Sequence, residues 1–213
     1  MQVYLDYFIN NWQTYLQMVW QHIYISLIAV GIAAAVGIPC GILCLKSPRI
    51  KQCIVTFFST LRIIPSLAVL VILIPVMGIG VKPALVALTV LAVPPVLIQT
   101  TLGFVKVPEF LLEVAKSMGM DEKRTFFRVQ LPLAFPYIMG GIKMAACEVI
   151  ASAALAAYIG SGGLGVLIYN GISMMKTEYL VIGGVSVAVL TMVCNLILGK
   201  VQKAVGTKER TMR

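Results

Sequence analysis

Apolar residues run along this chain in long blocks instead of alternating with polar ones. Five blocks are long enough to cross a bilayer, at about residues 22–45, 54–77, 83–105, 133–158 and 179–199. A spanning helix needs roughly 20 mostly apolar residues. Each block is apolar on every side, so length decides the assignment and amphipathic period does not. The polar interruptions are short except for two: 106–131 is the longest, and 160–178 is rich in glycine. The pattern predicts an all-α membrane protein with about five transmembrane helices. It divides into an N-terminal segment 1–21, a single membrane domain 22–199 with a polar loop at 106–131, and a basic tail 200–213. There is no internal repeat and no low-complexity tract.

Charge gives the blocks a direction. Loop 46–53 carries Lys46, Arg49 and Lys51; segment 106–131 carries Lys106, Lys116, Lys123, Arg124 and Arg128; the tail carries Lys200, Lys203, Lys208, Arg210 and Arg213. The alternate connections carry only Lys82 and Lys176. The positive-inside rule then places the N-terminus outside, the C-terminus in the cytoplasm and 106–131 on the cytoplasmic side of a multi-pass inner-membrane protein. An excess of 17 Lys and Arg over 8 Asp and Glu would ordinarily suggest nucleic acid. Here the basic residues sit between apolar runs and no nucleic-acid motif is present. With 60% hydrophobic and 12% charged residues, against about 25% charged in soluble proteins, the chain cannot coat a soluble globule. No basic n-region precedes the first block, which is long enough to remain as a span. Cys40, Cys44, Cys147 and Cys194 lie inside apolar runs and are read as buried apolar residues; no His or Cys cluster completes a metal site.

The 109–132 loop reads EFLLEVAKSMGMDEKRTFFRVQLP. Phe110, Val114 and Met118 recur at helical spacing, which predicts a short amphipathic helix from Glu109 to Met118. Gly119 permits a sharp turn at its end, Met120 to Gln130 resumes the helix, and Pro132 stands where a new helix would start. A helix–turn–helix of this kind suits the docking of a soluble partner. Glu113 is expected to anchor it by a charge-assisted bond to an Arg or a backbone amide, in this chain or in the partner.

Glu113, Ala115, Gly119, Val129, Leu131 and Pro132 match E-A-A-x3-G-x9-I-x-L-P, the signature of ABC importer permeases, with Val114 and Val129 as apolar departures. The chain therefore resembles the permease subunits of type I, binding-protein-dependent ABC importers. IPSLAVLVILIPVMGIG (64–80), VQLPLAFPYIMGGIK (129–143) and YIGSGGLGVLIYNGI (158–172) are similar to the permeases of osmoprotectant importers, which move glycine betaine, carnitine and choline. The resemblance covers about residues 20–200. It implies the type I importer fold, with Glu113, Ala115, Gly119, Leu131 and Pro132 in a loop that couples to an ATPase. It also implies a cytoplasmic ATPase dimer that carries ATP and Mg, an extracytoplasmic binding protein, and a second permease copy or paralogue. The chain itself has no G-x-x-x-x-G-K-[ST] motif, so ATP must be bound elsewhere. Amino acids or ergothioneine-like solutes are the alternative cargo. An ion-gradient-driven transporter would leave the loop motif unexplained. A membrane-embedded enzyme would need clustered His, Asp, Glu or Cys, which one His and scattered acids do not supply.

Arg62, Lys143 and Glu148 fall within or near spans, where charge is costly and usually faces a cavity or a partner. Lys143 and Glu148 are five residues apart, about 140° around a helix, and do not pair on one face. For Arg62 and Lys143, snorkelling or structural pairing is the expectation; Glu148 is a candidate for the pathway. Gly160, Gly162 and Gly163 predict a tight external turn that, with a short re-entrant helix in 160–178, caps the pathway. Prolines 65, 75, 94, 95 and 136 are expected to bend their spans. His22, with Trp12, Trp20 and Tyr24, is expected at the outer membrane interface.

Overall fold

The computed structural model describes residues 2–210, with side chains described over 7–204. Arg213 of the basic tail lies outside the described residues, as do the side chains of Lys208 and Arg210. In chain order the helices are α1 (Gln2–Leu43), α2 (Pro48–Leu61), α3 (Ser66–Met77), α4 (Val81–Val105), α5 (Glu109–Ser117), α6 (Glu122–Thr125), α7 (Leu131–Ala156), α8 (Gly165–Ser173) and α9 (Thr177–Arg210). A π-helical turn, Phe126–Gln130, joins α6 to α7, and a 3-10 turn, Ala157–Ile159, extends α7. Four stretches are long and apolar enough to cross a membrane: Tyr7–Leu43, Val81–Val105, Glu122–Ile159 and Thr177–Ala204. The count is five when α2 and α3, which meet at a bend of 90°, are taken as one broken span.

Two elements depart from expectation. The segment 1–21 is continuous with the first span: α1 already runs from Gln2, bent at Asn11, whose φ of −125° and ψ of 18° are non-helical. The Asn11 side chain donates to the Tyr7 carbonyl at 3.2 Å and so supplies a polar partner at the bend. The expected single span 54–77 is broken after Leu61. Pro65 has no N–H to continue a helix and disfavours helical backbone at the residue before it. With φ −56° and ψ 135° it becomes the N-cap of α3. Pro75, Pro94, Pro95 and Pro136 sit within helices that continue through them, so among the expected bends Pro65 marks the break.

Helix α4 is the central element, packed on α1 and on α7. Lipid tails are as apolar as the helices, so close approach of small residues must replace the hydrophobic drive between spans. Ala29, Ala33, Gly37 and Gly41 recur every fourth residue on α1. A Cβ at Gly37 would meet Val96 at 3.0 Å, and one at Gly41 would meet Thr100 at 2.7 Å. Thr101 Oγ1 donates to the Gly41 carbonyl at 3.2 Å across the same seam. On the other side each helix gives a glycine to its neighbour. Gly103 of α4 lies on Ala134 and Tyr137, and Gly141 of α7 lies on Pro95 and Gln99.

These contacts bring the helix ends into register. Gln202 Nε2 donates to the Pro136 carbonyl at 3.0 Å, so the end of α9, the start of α7 and the loop after α4 share one end of the bundle. The Gly80 N–H donates to the Ile159 carbonyl at 2.7 Å, which joins the turn before α4 to the far end of α7. The basic segments gather at the first end, with Lys82 and Lys176 at the second, as the charge pattern predicts.

Candidate functional site

At the basic end, the chain between α4 and α7 forms the expected helix–turn–helix. Glu109 in the first turn of α5 and Lys116 in its last complement the helix dipole. The helix ends in a Schellman motif: Met120 N–H donates to the Ala115 carbonyl and Gly119 N–H to that of Lys116, both at 3.0 Å. That motif needs a left-handed residue between them, and Gly119 has a φ of +76°. Asp121 then caps α6, accepting the Arg124 N–H at 2.9 Å.

Ala115 is buried, while Phe110, Val114 and Met118, at successive helical turns, are 61%, 50% and 74% exposed. Helix α5 therefore offers an uncovered apolar stripe at the basic end. An open cavity of 830 Å³ lies between α5 and 121–130, bordered by Leu112, Lys116, Met120, Phe127 and Gln130. Glu113 is exposed and has no hydrogen bond or ion pair in this chain among the described residues. The expected in-chain anchor is therefore absent among the described residues.

Pro132 lies in the first turn of α7, where its place in the sequence predicts a helix start. The backbone is helical through Gln130 and Leu131, and Leu131 N–H donates to the Phe126 carbonyl in a π-type bond. Proline has no N–H, so the change of helical register falls where the ladder is interrupted in any case. Leu131 packs with Phe104, Ala134 and Ile138. Phe104 stacks on Phe126 with ring centroids 5.5 Å apart. The loop is thereby continuous with the crossing helix α7.

Helices α1, α4 and α9 pack on α7 but leave one stripe uncovered. Tyr137, Met144, Glu148, Ala151, Leu155 and Tyr158 follow at intervals of seven, four, three, four and three residues, which is one helical face. It runs from the basic end of the bundle to the opposite end. Charged side chains within membrane spans usually face a cavity or another protein surface, and Glu148 stands at the middle of this face.

Each level of this face carries a polar or aromatic feature. At the basic end, an open cavity of 530 Å³ is lined by Gln99, Pro136, Tyr137, Lys143, Met144 and Gln202. Lys143 therefore turns toward the basic end, as snorkelling requires. In the middle, Glu148 pairs with Arg62 of the α2–α3 break at 3.8 Å, and both side chains are about a third exposed or more. At the far end, Tyr158 and Tyr169 hold their rings 5.5 Å apart at 42°. Arg62 and Glu148 are brought together, whereas Lys143 belongs to the cavity below.

The glycine turn closes the far end. Gly160, Gly162 and Gly163 have φ of +79°, +78° and +79°, backbone open to glycine at little cost. Gln21 of α1 spans this turn: Nε2 donates to the Ser161 carbonyl at 3.1 Å, and Oε1 accepts from Gly163 N–H at 3.2 Å. His22 is not at an interface as expected. It is 1% exposed and hydrogen-bonds through Nε2 to the Ile150 carbonyl at 3.0 Å, so it ties α1 to α7. Trp12, Trp20 and Tyr24 are exposed, in keeping with an interfacial belt. Helix α8 is the short helix expected after the turn.

Gln21, Gln99, Gln202, Tyr158 and Tyr169 were not singled out from the sequence. A polar amide inside an apolar block was the available signal for Gln99, and G-x-x-x-G spacing was the signal for the Gly37–Gly41 seam. Nothing local marks Gln21, whose partners lie about 140 residues away.

Residues 33–211 match the family model described as binding-protein-dependent transport system inner membrane component. The chain is 38% identical to the carnitine transport permease protein OpuCB of Listeria monocytogenes, over 95% of this chain and 93% of that one. It is 36% identical to the glycine betaine/carnitine/choline transport system permease protein OpuCB of Bacillus subtilis (strain 168), over 88% and 87%. It is 37% identical to the choline transport system permease protein OpuBB of the same organism, over 86% and 85%. Among solved structures, an inward-facing MetNI methionine ABC transporter superposes with a TM-score of 0.81 at 21% identity, covering 90% of this chain and 95% of that one. An amino acid ABC transporter with histidines gives 0.78 at 17% identity, covering 92% and 96%. At these identities the structures speak to the fold alone.

Proposed function

The chain belongs to the binding-protein-dependent transport system inner membrane component family, and from that premise we propose that it forms half of the pathway of an ATP-driven importer for small quaternary ammonium osmoprotectants. It is a membrane-embedded ABC permease subunit and not itself an enzyme. Its relatives are permeases for carnitine, glycine betaine and choline, which is the support for that cargo.

The observation that carries the mechanism is the α5 stripe of Phe110, Val114 and Met118, exposed beside the unpartnered Glu113. A cytoplasmic ATPase dimer seats on this stripe. Ala115 permits close approach of α5 to its own chain, and Gly119 sets the angle of the hairpin. ATP-driven closure of the ATPase moves 109–130 and, through the continuous helix, α7. The face from Tyr137 to Tyr158 lines the pathway opposite a second permease, identical or paralogous. Arg62 and Glu148 form its central polar element, and Gly160, Gly162 and Gly163 shape its outer closure, where a binding protein delivers solute.

Proteoliposomes containing the permease, its ATPase and its binding protein test this directly. ATP-dependent uptake of glycine betaine, carnitine or choline is the expected result. Uptake of amino acids with exclusion of all three would move the cargo to the alternative. Uptake driven by an ion gradient without ATP would overturn the importer mechanism.

A further inference from the structure

The Arg62–Glu148 pair has more bonding capacity than it uses. Its single contact is 3.8 Å long, beyond the about 2.7–2.9 Å of a charge-assisted hydrogen bond. No other hydrogen bond or ion pair engages either side chain among the described residues. Most of the guanidinium N–H donors and one carboxylate oxygen therefore remain free, on the uncovered face of α7. A purely structural pair within a span would be expected to close tightly and satisfy both groups. Arg62 stands at the end of α2, where the 90° break before α3 begins.

Resting on the importer reading above, we propose that Arg62 and Glu148 form a substrate subsite in the permease itself, selective for zwitterions over simple cations. The carboxylate of a betaine bonds the Arg62 guanidinium, and its trimethylammonium lies against the Glu148 carboxylate. The two halves of the solute thus meet the two halves of the pair in opposite sense. The pair is neutral and a betaine is neutral, so the complex leaves no net charge in a medium of low dielectric constant. A cation without a carboxylate, such as choline, leaves one uncompensated positive charge there, which is unfavourable.

The test is competitive uptake of glycine betaine and choline by proteoliposomes of the whole complex, with one binding protein used throughout so that its own preference cancels between variants. Arg62→Gln leaves an unpaired anion, and the betaine-to-choline uptake ratio should fall about tenfold; Glu148→Gln leaves an unpaired cation, and the ratio should rise by about the same factor. The double variant restores neutrality but lacks both partners of the zwitterion, so its ratio should lie between that of Arg62→Gln and that of the wild type. A merely structural pair would lower both solutes together. Parallel loss, or an unmoved ratio in both single variants, overturns the subsite and leaves the importer reading standing. If a single variant fails to assemble, the exchanged pair Arg62→Glu with Glu148→Arg restores neutrality in reversed sense. It should assemble and import betaine poorly, and full betaine uptake by that variant also overturns the proposal. Wild-type complex that imports neither solute removes the importer reading and the subsite with it.

Discussion

The Oε1 atom of Gln21 accepts a hydrogen bond from the N–H of Gly163 at 3.2 Å, across 142 residues of chain. With the bond from Gln21 Nε2 to the Ser161 carbonyl, one amide side chain holds both sides of Gly162. Two part-buried bonds of this kind contribute about 1–3 kcal/mol together. Gln21→Ala should lower the thermal unfolding midpoint of the purified permease, with the 160–163 turn becoming the first site of proteolysis. Gly162→Ala should be worse, since its Cβ would run into the Gln21 amide and its φ of +78° disfavours any side chain. An unchanged midpoint in both variants would show that the turn is held by other contacts.

The α1–α4 seam offers a matched pair of substitutions. Gly41 has no room for a side chain, with Thr100 2.7 Å from its would-be Cβ, whereas Gly31 has nothing within 4 Å. Gly41→Val forces the helices apart or distorts Thr100, a change that costs about 1–3 kcal/mol or more. Gly31→Ala should be neutral or slightly stabilising through helix propensity. Expression of folded protein, followed by size exclusion in detergent, reads the difference; equal behaviour of the two would refute close packing at Gly41.

Gly119 lies in open space, so a substitution there strains the backbone without a clash inside this chain. Gly119→Val should fold and insert, destabilised by about 1–2 kcal/mol from the positive φ, yet re-aim the hairpin. Reduced co-purification of the ATPase, or hydrolysis no longer linked to uptake, is the expected result. Phe110→Ala removes an exposed aromatic and should weaken ATPase association by about tenfold or more without affecting folding. Wild-type coupling in both variants would remove α5 from the ATPase contact.

Asp121 caps an exposed turn at the basic end. In a cysteine-free background, Asp121→Cys should resist a membrane-impermeant maleimide in intact cells and react once the membrane is permeabilised. A cysteine in place of Lys176, at the opposite end, should behave in the reverse way. Ready labelling at 121 from outside would invert the topology.

Much of the loop was legible in the sequence because its determinants are local. The stripe of Phe110, Val114 and Met118 follows from helical spacing. The turn at Gly119 follows from glycine's conformational freedom, and the capping by Asp121 from a short polar side chain. Where the local reading failed, a neighbour in space was responsible. His22 reads as an interfacial residue until the carbonyl of Ile150 is placed beside it.

The all-helical membrane class and the gathering of basic residues at one end were determined by the sequence alone, because block length and the position of basic residues are set against a bilayer of fixed thickness and charge preference. The faces of the helices were not. Each span is apolar all round, so no polar stripe along it indicates which side meets protein, lipid or solute. The pairing of Arg62 with Glu148 and not Lys143, the glycine seams of α4, and the uncovered stripe of α7 were decided only in the tertiary structure. There, close approach is governed by side-chain volume at particular crossing points, and the cost of an unpaired charge is resolved by whichever partner the fold brings within reach.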